Sequence, residues 1–140
     1  MAARRQRRKR DPEPEEAALP VTRHWIWWRS QPGARPKARE ELESLPTKPQ
    51  ADLAAKIDRY RKGESRAHDV DHLGDGIYEI RHRQGNNHYR VLFFMWGPHW
   101  VALTAFYKNQ QKTPATDKNR AHKRMTQWCQ TFGDQPPPDQ

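Results

Sequence analysis

Residues 76 to 108 constrain the fold of this chain more than any other stretch. Three segments rich in β-branched and aromatic residues, GIYEIRHR, NHYRVLFFMW and WVALTAFYK, follow one another with only the turns QGNN and GPH between them. Turns that short close antiparallel hairpins, so the three segments read as a meander. The middle one is apolar at nearly every position from Val91 to Trp96, the pattern of a central strand covered on both faces.

Register follows from the turns. Taken through Gly85 and Asn86, the first hairpin sets Gln84 opposite Asn87 and Arg81 opposite Arg90, and a four-residue loop gives the same pairing. A three-residue loop through Gly97, Pro98 and His99 sets Lys108 opposite His88. One face then carries Arg81, Arg83, His88, Arg90 and Lys108 together. Like charges directly opposed across an antiparallel pair cost a few tenths of a kcal/mol or more, on the order of the usual cross-strand term. Something anionic between them would remove that cost, and guanidinium groups bind phosphate bidentately. The competing reading is that Arg81 or Arg90 pairs with a carboxylate such as Glu79 or Asp75, or snorkels at the core edge. The pattern alone leaves both open.

The rest of the chain supplies one domain around this meander. HWIWWR, residues 24 to 29, reads as a first strand, and SQPGARP breaks it. Ala38, Leu42 and Leu45 have helical spacing. A second helix is expected to open at a capping box of Thr47 and Gln50, with Pro49 in its first turn, Leu53, Ile57 and Tyr60 on one face and Gly63 as its stop. Thr113 and Pro114 start a last helix whose stripe is Ala121, Met125, Trp128 and Phe132. The order is strand, two helices, three strands, helix, an α+β arrangement over residues 23 to 131. Residues 1 to 22, six basic then four acidic side chains with almost no apolar content, read as a disordered arm, either a nucleic-acid or ribosome tether or a solvated tail. Residues 132 to 140 read as a proline-rich tail.

The formal net charge is +9. Residues 76 to 131 carry nine basic side chains against only Glu79 and Asp117, so the C-terminal half presents the basic surface that a polyanion requires. The single cysteine, Cys129, excludes an intrachain disulfide or a cysteine zinc cluster. HDVDH places His68 and His72 four apart but precedes a glycine turn and lacks the glutamate of the zinc-protease motif. No metal or cofactor is expected. No apolar run approaches the roughly 18 residues of a membrane span, and the arginine-rich start leads into DPEPEE in place of an apolar signal segment. A cytoplasmic protein without membrane association is expected.

HLGDGIYEIR, YRVLFF, LTAFYKNQQKTP and NRAHKRM, in that order, resemble the RelE/ParE superfamily of type II toxins, in its HigB-like, phage-derived branch. The resemblance spans about residues 23 to 131. It implies a small RelE-like α+β domain: a mainly antiparallel sheet of about four strands, an N-terminal helical hairpin and a C-terminal helix. It also implies a toxin that cleaves mRNA on the translating ribosome, held inactive by a cognate antitoxin, often of helix-turn-helix type. The positions matching the basic motif are Arg81, Arg90, Lys108 and Lys112, while Asn109 departs from the lysine usual after Lys108. RNA can be cut without a metal because its own 2′-hydroxyl attacks the adjacent phosphorus. The roles expected are Arg81 and Arg90 at the scissile phosphate, Lys108 at the transition state or leaving oxygen, and His88 and Tyr107 in proton transfer, with Arg83, Lys112 and Arg124 contacting RNA. The superfamily also holds gyrase inhibitors of nearly the same fold. A non-catalytic inhibitor of DNA gyrase and a basic nucleic-acid-binding protein therefore stand as alternatives.

Overall fold

The computed structural model describes residues 22–138, so the arm expected over residues 1 to 22 lies outside the described residues apart from its last position. The elements are β1 (Trp25–Trp27), α1 (Lys37–Glu43), α2 (Thr47–Arg61), β2 (Val70–Gly74), β3 (Ile77–Gln84), β4 (Asn87–Trp96), β5 (His99–Lys108) and α3 (Ala115–Phe132). They build one five-stranded sheet in the order β1-β5-β4-β3-β2. β1 runs parallel to β5, and the other pairs are antiparallel. No helix among the described residues is long and apolar enough to cross a membrane.

The sheet has one strand more than expected. Val70–Gly74 is an edge strand paired on β3, Val70 facing Ile80 and His72 facing Tyr78. Its Asp71 and His72 break the apolar alternation that marks a strand in sequence, which an edge strand with one partner and an open face tolerates. The α2 capping box does not form either. Pro46 takes the extended N-cap conformation with no side-chain cap bond. The Gln50 amide instead donates to the carbonyls of Glu43 and Leu45 at 3.3 Å each.

Central β4 is covered on both faces, because successive side chains alternate. Leu92, Phe94 and Trp96 join Ile77, Val101, Leu103 and Trp128 beneath α3. Tyr89, Val91 and Phe93 join Leu53, Ile57, Ile80 and Trp100 beneath α2. The first hairpin has the expected register, with Gly85 at φ 63° in a two-residue turn. The second reaches the expected pairing by another route. Its turn is one residue shorter, Trp96 facing His99, and a bulge beside Leu92 and Phe93 passes over Leu103 and restores His88 opposite Lys108. Residues 133–138 lie against this turn: Trp96 Nε1 donates to the Gly133 carbonyl at 2.9 Å, and a Cβ on Gly97 would sit 2.6 Å from Pro136.

Candidate nucleic-acid interface

Arg81 faces Arg90, Arg83 faces His88, and His88 faces Lys108 on one side of the sheet. The two opposed arginines have different surroundings. Arg90 is 0% exposed. Its Nη2 donates to the carbonyls of Gln110, at 2.6 Å, and Gln111, its Nη1 lies 3.4 Å from the Lys112 carbonyl, and its Nε sits 3.4 Å from the buried carboxylate of Glu79. Thr113 Oγ1 donates to the same Glu79 at 2.5 Å, so strand β3, strand β4 and the β5–α3 loop are tied at one point. Arg90, expected at the scissile phosphate, is thus enclosed beneath the β5–α3 loop. Its two terminal nitrogens are spent on loop carbonyls, while Nε faces Glu79 without a hydrogen bond among the described residues.

Arg81 is 26% exposed at the side chain and keeps an open side. Nη2 pairs with Asp71 at 2.7 Å, Nη1 donates to the Gln111 carbonyl at 2.9 Å, and Nε is 3.6 Å from Glu79. Its backbone is fixed as well. The N–H points to the Asp69 carbonyl at 3.4 Å, and the carbonyl accepts from Lys56 Nζ at 2.7 Å. Beyond Val70, β2 peels away from β3. That departure opens a groove of about 310 Å³ lined by Lys56, His68, Arg81, Arg83, His88 and Gln111. Among these lining residues three carry fixed positive charge and none is acidic.

His88 is buried, with Nδ1 unpartnered among the described residues. Burial, and behind it the guanidinium groups of Arg90, Arg81 and Arg83, pull its imidazole below the ordinary histidine value. Lys108 is 45% exposed at the side chain, in the row of His88, with Nζ 3.9 Å from the buried carboxylate of Asp117. Lys112 is exposed on the loop that Arg90 holds.

Tyr107 and Arg124 are not brought to this face. Tyr107 faces Tyr89 on the other side of the sheet, ring centroids 5.2 Å apart, and its hydroxyl donates to Asn87 at 2.9 Å. Strand alternation forbids adjacent Tyr107 and Lys108 from sharing a face. Arg124 is buried: its two terminal nitrogens bind Glu41 at 2.9 and 2.8 Å, Nη1 also donates to the Leu103 carbonyl, and the guanidinium lies 4.5 Å from the Trp28 ring. It clamps α1 and α3 onto β5. Neither Tyr107, expected in proton transfer, nor Arg124, expected to contact RNA, lines the groove.

Comparison with known proteins matches residues 40–126 to the family described as Gp49, "Phage derived protein Gp49-like". Over 126 residues the chain is 43% identical to "Probable endoribonuclease HigB1" of Mycobacterium tuberculosis, in strain CDC 1551 / Oshkosh and again in strain ATCC 25618 / H37Rv. The match covers 90% of this chain and 98% of the relative in each case. The chain belongs to the Gp49-like, HigB-like family.

Every residue lining the groove of this HigB-like protein falls within the family match. Three of them, Lys56, His68 and Gln111, were not among the expected site residues. Lys56 lies on α2 between Leu53 and Ile57, and a lysine on the apolar stripe of a helix was the available signal. Its ammonium is pulled below the ordinary lysine value by burial, with Asp69 opposing. His68 was weighed only as part of HDVDH. His72 of that pair stacks on Tyr78, ring centroids 4.6 Å apart, and the described residues hold no cluster of three or more histidine, cysteine or acidic side chains suited to a metal.

Proposed function

We propose that this protein is the toxin of a type II toxin–antitoxin pair and an endoribonuclease that cuts mRNA at the ribosome, with RNA held in the groove at the open end of β3. The observation that supports it is the meeting of Lys56, Arg81 and Arg83 around an imidazole that burial pulls below the ordinary histidine value, with no acidic side chain among the lining residues. That charge suits a phosphodiester, and a neutral imidazole suits a base. Arg81 and Arg83 stabilise the charge that develops on the phosphorane, and Lys108 stands in the same row for the leaving-oxygen side. Arg90 acts one step removed, by holding Gln111 and Lys112 at the groove wall. The 2′-hydroxyl is the nucleophile, and His88 takes its proton. The partner that silences the toxin is a cognate antitoxin of helix-turn-helix type, and the site of action is cytoplasmic.

The test is in vitro translation with mapped mRNA ends, run beside a DNA supercoiling assay. Cuts inside coding sequence carrying 2′,3′-cyclic phosphate and 5′-hydroxyl ends are expected. Intact mRNA together with failed supercoiling would replace this reading by gyrase inhibition.

A pH profile tests the base. Because the folded protein holds His88 below about 6.5, the unperturbed histidine value, the neutral form persists into mildly acid solution. The acid limb of cleavage should then have its midpoint below 6.5 and vanish in His88→Ala. A midpoint at or above 6.5 would remove His88 from the base role. The same shift makes the unfolded chain bind more protons than the folded one. Stability therefore falls as pH drops below about 6.5 toward the lowered folded value.

A further inference from the structure

We propose that His68 is the general acid that protonates the leaving 5′-oxygen, paired across the reaction with His88 as base; this rests on the ribonuclease reading above. With Tyr107 on the far face of the sheet, that proton has no other assigned donor.

The seven histidines divide sharply by what their rings touch. His99 Nδ1 accepts from the His24 backbone N–H at 3.1 Å, and the two rings lie 5.2 Å apart. His72 stacks on Tyr78, His82 Nε2 is 3.1 Å from Asp52, and His122 Nε2 is 3.5 Å from Asp75. Among the described residues, His68 and His88 make no such side-chain contact, and both line the same groove. They come from different elements: His88 from β4, His68 from the turn that carries the chain into β2. An acid and a base supplied by different elements suit an in-line displacement, in which the attacking and leaving oxygens lie on opposite sides of phosphorus.

The turn is built firmly around a side chain that the fold leaves unused. His68 has φ 67°, a left-handed conformation that residues with a Cβ seldom adopt. The adjoining Asp69 holds it there. Its buried carboxylate accepts from Arg59 Nη2 at 2.9 Å and from the Arg66 backbone N–H at 2.8 Å, while the Asp69 N–H returns to the Arg66 carbonyl at 3.1 Å. Held strain of this kind gathers at functional sites.

In the step, the 2′-hydroxyl gives its proton to His88 and the 2′-oxygen bonds to phosphorus. The bond from phosphorus to the 5′-oxygen breaks with its electron pair on that oxygen, which takes the proton of His68. The products are a 2′,3′-cyclic phosphate and a 5′-hydroxyl.

The test compares full-length wild type, His68→Asn and His88→Ala on ribosomes programmed with ordinary mRNA and with mRNA whose scissile 5′-oxygen is replaced by sulfur. Asparagine tolerates the left-handed turn, and an unchanged melting temperature verifies it. On ordinary mRNA, His68→Asn should lose about 10²–10⁴-fold in rate. On the sulfur substrate, whose thiolate leaves unprotonated, His68→Asn should approach the wild-type rate while His88→Ala stays slow. Equal losses of His68→Asn on both substrates, or no loss on ordinary mRNA, would overturn the assignment with the ribonuclease intact. Failure of wild type to cut either substrate would overturn the ribonuclease reading itself.

Discussion

Arg90→Ala is expected to lower the folding free energy by about 3–5 kcal/mol, the usual cost of removing one partner from a buried ion pair. The guanidinium is fully buried and satisfies carbonyls of Gln110, Gln111 and Lys112 that have folded back over the sheet. Without it Glu79, itself 1% exposed, keeps Thr113 and a 3.6 Å approach from Arg81. Lysine should restore little, since a single ammonium lacks the planar fork that reaches several acceptors. The double variant Arg90→Met, Glu79→Met should recover part of the loss, because it removes the stranded carboxylate as well. Urea unfolding of the three variants measures this. An Arg90→Ala protein as stable as wild type would return this residue to the phosphate.

Arg81→Ala should behave in the opposite way. Its pair with Asp71 is partly exposed, so stability should fall by only about 1 kcal/mol or less. The groove, however, loses the guanidinium that β3 fixes by its backbone on both sides. Losing a pre-placed donor to a developing anion costs about 10²–10³ in rate, or roughly 2.7–4 kcal/mol. Single-turnover cleavage on programmed ribosomes, with thermal unfolding on the same preparation, separates the two arginines: one is read in the melt, the other in the rate. A stability loss in Arg81→Ala equal to that in Arg90→Ala would make both residues structural.

The split between these opposed residues shows where pattern reading stopped. Their pairing was legible, because two short turns set the register of three strands. The alternative in which Arg81 or Arg90 meets a carboxylate was also legible, and Glu79 was correctly among the candidates. Asp71 was not, since β2 carried too little apolar alternation to be recognised as the strand that brings it alongside. The capping box failed for a local reason, the extended Pro46 occupying the N-cap position. Lys108 reached His88 although the predicted turn was one residue too long, because the bulge at Leu103 offsets it.

What the sequence determined by itself was the meander and which side chains share each face. A strand's side-chain period is two, so turn length and apolar alternation settle register locally, and a slip of one residue would turn the core outward. What only the tertiary structure decided was which cations on that face remain free. That depended on contacts distant in sequence: the loop whose Gln110, Gln111 and Lys112 carbonyls enclose Arg90, the Glu41 carboxylate that binds Arg124, and the helix that delivers Lys56 to the Arg81 carbonyl. A charge is buried or available according to what folds over it, and no local period encodes that.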